Sequence, residues 1–183
     1  MGTRDIERIA ITTAAARKVK PGLGSIVYVY TPQNVRRCNG VVEPQDVECE
    51  DDRQGRDFIG RCGYHDYANV GNNHLILVYV PHPGSSCHAR DGSQRFPNDR
   101  AADAAINLTS HFQMEAITDP LFNAWREDND DVMEISSECD HVFGPRLPGK
   151  KGNSHYNGHT YDVHAMASNK DEGCVVGSRT SGF

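Results

Sequence analysis

Ser110-His-Phe-Gln-Met-Glu-Ala-Ile-Thr-Asp-Pro120 is the stretch on which the reading of this chain turns. Upstream, Arg100-Ala-Ala-Asp-Ala-Ala-Ile-Asn-Leu108 carries a helical pattern back to Asp99, a residue type suited to an N-cap. Pro120 cannot continue it far. The spacing therefore predicts a helix from Arg100 to about Thr118. An α-helix repeats every 3.6 residues, so His111 and Glu115 stack one turn apart on one face. Ten of the residues between Ala101 and Ile117 are apolar, which predicts a central, buried helix. A buried imidazole and carboxylate need something to pair with, and a shared cation is one answer. The other is a plain His–Glu pair, worth about 0.2–0.5 kcal/mol on a wet helix.

A tetrahedral zinc site wants three or four His, Asp, Glu or Cys ligands. Glu134 follows Glu115 by 19 residues and is the candidate third ligand, with Asp140 and His141 weaker alternatives. Asp119 is a further four-residue step along the same face, placed to orient His111 or Glu115. Phe112 stands where a His-Glu-x-x-His hydrolase keeps its glutamate base. His65, His74, His82 and His88 read as surface or loop histidines, His65 being the one of interest. Asp128-Asn-Asp130 opens like a calcium loop, but Val132 and a missing glycine make it a solvated turn. The sequon Asn107-Leu-Thr109 falls inside the helix and is expected to be unmodified.

Around the helix, Asp5 to Lys18 has apolar residues at helical spacing and is predicted helical, ended by Pro21-Gly22. Ser25 to Thr31 and His74 to Val80 are rich in β-branched and aromatic residues and read as strands. Thr160 to Met166 alternates like a half-buried strand. Residues 38–57 and 83–98 read as loops, 58–67 as a turn-rich approach to the second strand, and 144–158 as a glycine- and proline-rich connection. With 183 residues the chain fits one domain, assigned here to 1–177 with a disordered tail at 178–183. The expected class is α+β, a small mixed β-sheet packed on a central buried helix and stabilised by disulfides. A net charge of −6 argues against nucleic acid as a partner, and no apolar run approaches a membrane span. Acid clusters in Glu48-Cys-Glu-Asp-Asp52 and Glu127-Asp-Asn-Asp-Asp131.

Six cysteines (Cys38, Cys49, Cys62, Cys87, Cys139 and Cys174) are even in number, scattered, and without a C-x-x-C pair. That pattern suggests a disulfide framework and an oxidising compartment, against the alternative of six buried thiols. Met1-Gly-Thr-Arg-Asp5 lacks the basic start and apolar core of a signal peptide. Either an export signal has been removed from the chain, or the inference of an oxidising compartment is wrong.

Cys62-Gly-Tyr-His65, Cys87, Ser110-His111-x-x-x-Glu115-Ala-Ile-Thr-Asp-Pro120, Asn123-Ala-Trp125, Glu134-Ile135, Cys139, Gly158-His-Thr-Tyr161, Ser168-Asn169 and Cys174 together resemble the phosphate-induced protein (exordium-like) family. They are most similar to secreted microbial relatives whose central motif reads Ser-His-Glu-x-x-Glu-Ala-x-Thr-Asp-Pro. The likeness runs from about Ile26 to Cys174. It implies an exported, disulfide-bonded domain whose helix is zincin-like, with His111 and Glu115 as helix ligands and Glu134 as the downstream acidic one. Two departures stand out: Phe112 replaces the glutamate of the motif, and Ser137 stands where the family has aspartate.

General acid–base help is typically worth about 10²–10⁴-fold, so a site without its base should bind metal yet turn over poorly. The expectation is a secreted domain with a zinc site, weak or absent hydrolase activity, and a role in extracellular binding or signalling. Its partner would be an extracellular protein, a peptide or a cell-wall component. Two alternatives remain open: an active zinc metallopeptidase using Asp119 or His65 as an unusual base, and a metal-free structural domain.

Overall fold

The computed structural model describes residues 1–35, 38–39, 48–49, 62–83, 87, 96–125, 134 and 136–176. The acidic run at 127–131, His88 and the tail at 178–183 lie outside them. So do the side chains of Cys38 and Cys49, although their backbone strands are described.

The centre is a mixed three-stranded sheet with a helix on each face. Strand β1 (Gly22–Tyr30) runs parallel to β5 (Asn73–Val80), and β4 (Tyr64–Val70) pairs antiparallel on the other side of β5, giving the order β1-β5-β4. Two short strands, β2 (Cys38–Asn39) and β3 (Glu48–Cys49), form a separate ribbon whose register sets Cys38 opposite Cys49. Because β5 is central and covered on both faces, it reads as an unbroken apolar run. Its alternate residues part cleanly: Leu75, Leu77 and Tyr79 pack with Ile6, Ala10 and Ala14 of helix α1 (Thr3–Ala16). Ile76, Val78 and Val80 pack with Leu108, Phe112 and Ala116 of helix α2 (Arg100–Thr118).

The α+β expectation, with its small mixed sheet, holds. Helix α2 has the predicted bounds, and Asp99 Oδ1 accepts from the backbone N–H groups of Ala101 and Ala102. It is one-sided rather than wholly buried, since Ile117 is 61% exposed. Helix α1 ends at Ala16, before the expected Lys18, because Lys18 turns into the left-handed region at φ 56° while the N–H of Val19 returns to the carbonyl of Ala14. The turn-rich approach at 58–67 contains the start of β4. Its polar alternation hid the strand, and the clue was Gly71-Asn72, which closes a tight hairpin with Gly71 at φ 60°.

The C-terminal third wraps the other side of α2. A 3₁₀ turn (Ser137–Cys139) is tied to β9 (Gly173–Val175) by the Cys139–Cys174 disulfide, and β9 pairs with β8 (Met166–Ser168). A second disulfide, Cys62–Cys87, closes the approach to β4. The strand predicted over 160–166 is broken. His159–Tyr161 forms β7, a hairpin with β6 (Ser154–Tyr156), but residues 162–165 leave the ladder. Side-chain amides take their backbone bonds instead: Val163 N–H donates to Asn153 Oδ1, and His164 N–H donates to Asn107 Oδ1 at 2.7 Å.

Candidate metal centre

Helix α2 presents two parallel rows to its surroundings. Leu108, Phe112 and Ala116 face the sheet, with Ala104 buried one turn before them. One position earlier in each turn, Asp103, Asn107, His111, Glu115 and Asp119 form a polar row, every member no more than 5% exposed. A four-residue step drifts slowly round a 3.6-residue helix, so five successive positions stay on one broad face. Continuing the His111–Glu115–Asp119 step upstream would have found Asn107 and Asp103. Each end of the row is spoken for locally. Asp103 accepts from Asn98, and Asp119 Oδ1 accepts from the backbone N–H groups of Asn123 and Ala124. The Asp119 carboxylate therefore caps the turn after the helix, and its backbone carbonyl is what reaches the site.

Glu115 is the hub. Its Oε1 lies 2.9 Å from His111 Nε2 and accepts a hydrogen bond of 2.9 Å from Ser136 Oγ, while its Oε2 lies 3.3 Å from His65 Nδ1. The His111 contact is close in distance but lacks the direction of a hydrogen bond. Ser137 Oγ, at the position where aspartate was expected, sits 3.5 Å from the same oxygen. Burial alone would raise the Glu115 pKa. The paired His111 and His65 overcome it and hold the carboxyl at about 2. Burial likewise opposes charge on each imidazole, yet the Glu115 carboxylate prevails and both histidine pKa values are raised.

His65 is no surface residue. It lies on β4, 4% exposed, beneath the ring of Phe122 at 4.5 Å between centroids. Its Nε2 is 3.1 Å from the carbonyl oxygen of Asp119. A carbonyl only accepts, so Nε2 must carry hydrogen. In the neutral ring Nδ1 is then a bare lone pair. That lone pair faces Glu115 Oε2 and, at 3.6 Å, Glu134 Oε1. Three electron-rich atoms converge with no hydrogen of their own to separate them. Either the imidazole takes a second proton or a cation fills the gap.

His65, Glu115 and Glu134 offer ligand atoms within 4.8 Å of one another, all three residues buried, and could hold a metal ion; His111, Asp140 and His164 form a second such group. The second differs in its protons. Asn107 Oδ1 is occupied by the His164 backbone N–H, which fixes the amide, so Asn107 Nδ2 donates to His164 Nε2 at 3.1 Å. Neutral His164 must then carry its hydrogen on Nδ1, facing Asp140 Oδ1 at 3.2 Å. Asp140 Oδ2 in turn lies 3.1 Å from His141 Nε2. The His164–Asp140 contact is close but lacks the direction of a hydrogen bond. What sets the His65 group apart is that two carboxylates face one imidazole nitrogen and all three residues are buried.

The structure thus gathers Glu115 and Glu134 around His65, while His111 touches Glu115 and groups with Asp140 and His164. Ser136 and His164 were not singled out from sequence, and Asn107 was noted only as a glycosylation sequon. Nothing marked His164, because its place depends on the irregular backbone after β7. Phe112 is 1% exposed in the apolar cluster against the sheet, and its ring lies so close over Gly63 that a Cβ there would overlap it. Comparison with protein-family models, curated proteins and solved structures returned no match. Among the described residues no helix is long and apolar enough to cross a membrane.

Proposed function

We propose that this chain is a secreted, exordium-like domain whose buried centre binds one divalent metal ion, zinc, through His65 Nδ1, Glu115 and Glu134, with weak or absent hydrolase activity. One observation carries it: the Asp119 carbonyl holds His65 Nε2 so that Nδ1 faces two carboxylates, Glu115 and Glu134. An imidazole nitrogen with two carboxylate oxygens is a donor set that suits zinc, and three protein ligands leave one tetrahedral position. His111 then lies beside the ligands, 2.9 Å from the other oxygen of the Glu115 carboxylate, rather than binding the ion itself.

Weak catalysis follows from the same surroundings. A metal-bound water still needs a base to take and return its proton. Phe112 is committed to the sheet-side core. The Asp119 carboxylate is occupied by two backbone donors, and His65 is itself a ligand in this reading. Export to an oxidising compartment is consistent with the Cys62–Cys87 and Cys139–Cys174 bridges, and a role in extracellular binding or signalling rests on the family resemblance. A metal-free domain is the competing reading, since a second proton on His65 would satisfy the same geometry. Elemental analysis and zinc titration calorimetry separate the two. One equivalent is expected in the native protein and none in His65→Ala or Glu115→Gln; less than about a tenth of an equivalent in the native protein overturns the proposal. Chelator-sensitive cleavage of casein would instead favour an active peptidase.

A further inference from the structure

On the face of α2 turned away from the metal centre lies an open groove of about 560 Å³, within the roughly 300–1,000 Å³ of small-ligand sites. Its floor is the helix itself, with Thr109, Ser110 and Gln113. One wall is Tyr30 at the end of edge strand β1; the other is the β6–β7 hairpin with Tyr156 and Tyr161. None of the ten residues lining it is charged.

The walls are built rather than incidental. Thr109 Oγ1 donates to the carbonyl of Ala105 at 2.7 Å, which leaves its lone pairs to take the Tyr30 hydroxyl proton at 3.1 Å. The Tyr30 ring is further stacked on Tyr28, at 6.4 Å between centroids and 11° between planes. Opposite, Asn157-Gly158 occupy the left-handed region at φ 47° and 80° and close a two-residue hairpin. In that register Ser154, Tyr156, His159 and Tyr161 share one face, and all but His159 line the groove. Tyr30 and Tyr156 nevertheless remain 55% and 68% exposed, large rings left uncovered.

We propose that this groove binds a neutral, unbranched polysaccharide chain. A pyranose ring is a flat stack of C–H groups rimmed by hydroxyls. Tyrosine faces take the C–H surface, with hydroxyls available at their edges. Gln113 and Ser110 offer both donors and acceptors to sugar hydroxyls, which likewise donate and accept. A lining without charge gives no reward for stripping water from a charged ligand, so it matches a neutral glycan over an acidic one. Two aromatic walls flanking an open trough suit a chain that enters and leaves at either end.

The site stands apart from the metal centre, and the experiment keeps them separate. Cellohexaose is titrated by calorimetry into the native protein, with an oligogalacturonate of similar length and a casein digest as competitors for the reading. Saturable binding of cellohexaose alone is expected, weakened by about tenfold or more in Tyr156→Ala and in Gln113→Ala. Both side chains are exposed, and circular dichroism checks that each variant folds. Glu115→Gln should bind cellohexaose as the native protein does, whatever its zinc content. No binding of cellohexaose at millimolar concentration overturns the proposal, as does equal affinity in both groove variants or tighter binding of the acidic glycan or peptides.

Discussion

Replacing Glu115 by glutamine, in protein stripped of metal with chelator, tests the electrostatic account of the centre most directly. Glu115 is 5% exposed and its carboxyl pKa falls from 4.5 to about 2 in the folded chain. A pKa lowered on folding adds stability above the unfolded value, and that contribution drains away as the pH falls toward the folded value. At about 1.36 kcal/mol per pH unit, the interval from 4.5 to 2 corresponds to about 3 kcal/mol, with little solvent screening at so buried a site. His65 and His111 stay protonated in both folded and unfolded chains across this window, because their pKa values are raised above 6.5, so they do not blur it. Urea unfolding should be followed by far-ultraviolet circular dichroism, since Trp125, the sole tryptophan, is 62% exposed and a poor reporter of the core. Native protein should lose about 3 kcal/mol more than Glu115→Gln between pH 5 and pH 2, other carboxylates cancelling in the difference. Near pH 2 the two curves should converge. If they run parallel through that window, the Glu115 anion is not held by its imidazole neighbours and the reasoning fails.

Three further outcomes follow from the same geometry. The charged His65–Glu115 pair stabilises the metal-free protein fully below pH 6.5 and ceases to as the pH rises through the raised histidine pKa, whereas zinc needs the neutral ring; thermal melts should show the zinc-induced gain growing with pH over that range, and a gain that shrinks would contradict His65 as ligand. Asn107→Ala strips His164 of two hydrogen bonds and should cost about 2–4 kcal/mol while leaving one zinc equivalent; loss of zinc would move the site to the His111, Asp140 and His164 group. Removing the Cys139–Cys174 bridge as a double alanine variant opens a 35-residue separation, expected to cost about 4 kcal/mol by loop entropy, and should weaken zinc binding by freeing the turn that carries Ser136; an unchanged zinc affinity would show that this turn does not position Glu115.

The parts of this fold that could be read from sequence are those where one local rule acts alone. Helix α2 was legible because Asp99, a long apolar stripe and Pro120 all agree, and β5 because seven consecutive residues favour a strand. Strand β4 was not, because it is polar nearly throughout: His65 reaches Glu115 of α2, while Asp66 and Asn69 bond to Tyr67 and His74 nearby. His65 shows the consequence: sequence placed it on a loop, and only the pairing of β4 with β5 carries it under Phe122 and against Glu115. His164 was hidden for the opposite reason, since its backbone is held by the amides of Asn107 and Asn153 rather than by a ladder, and no periodicity records such bonds. The expectation that did transfer, that a buried helix would not turn polar groups inward without a partner, proved stronger than the pair it was drawn from. It applies to five positions of α2, not two. At three of them hydrogen-bonding protein groups are in place: Asn98 for Asp103, His164 for Asn107, and the turn at Asn123 for Asp119. Around Glu115 the row meets a histidine nitrogen faced by two carboxylates. That crowding of acceptors round one buried imidazole, rather than the number of histidines, is why the cation is proposed there and not at the neighbouring group, which has two histidines and a single carboxylate.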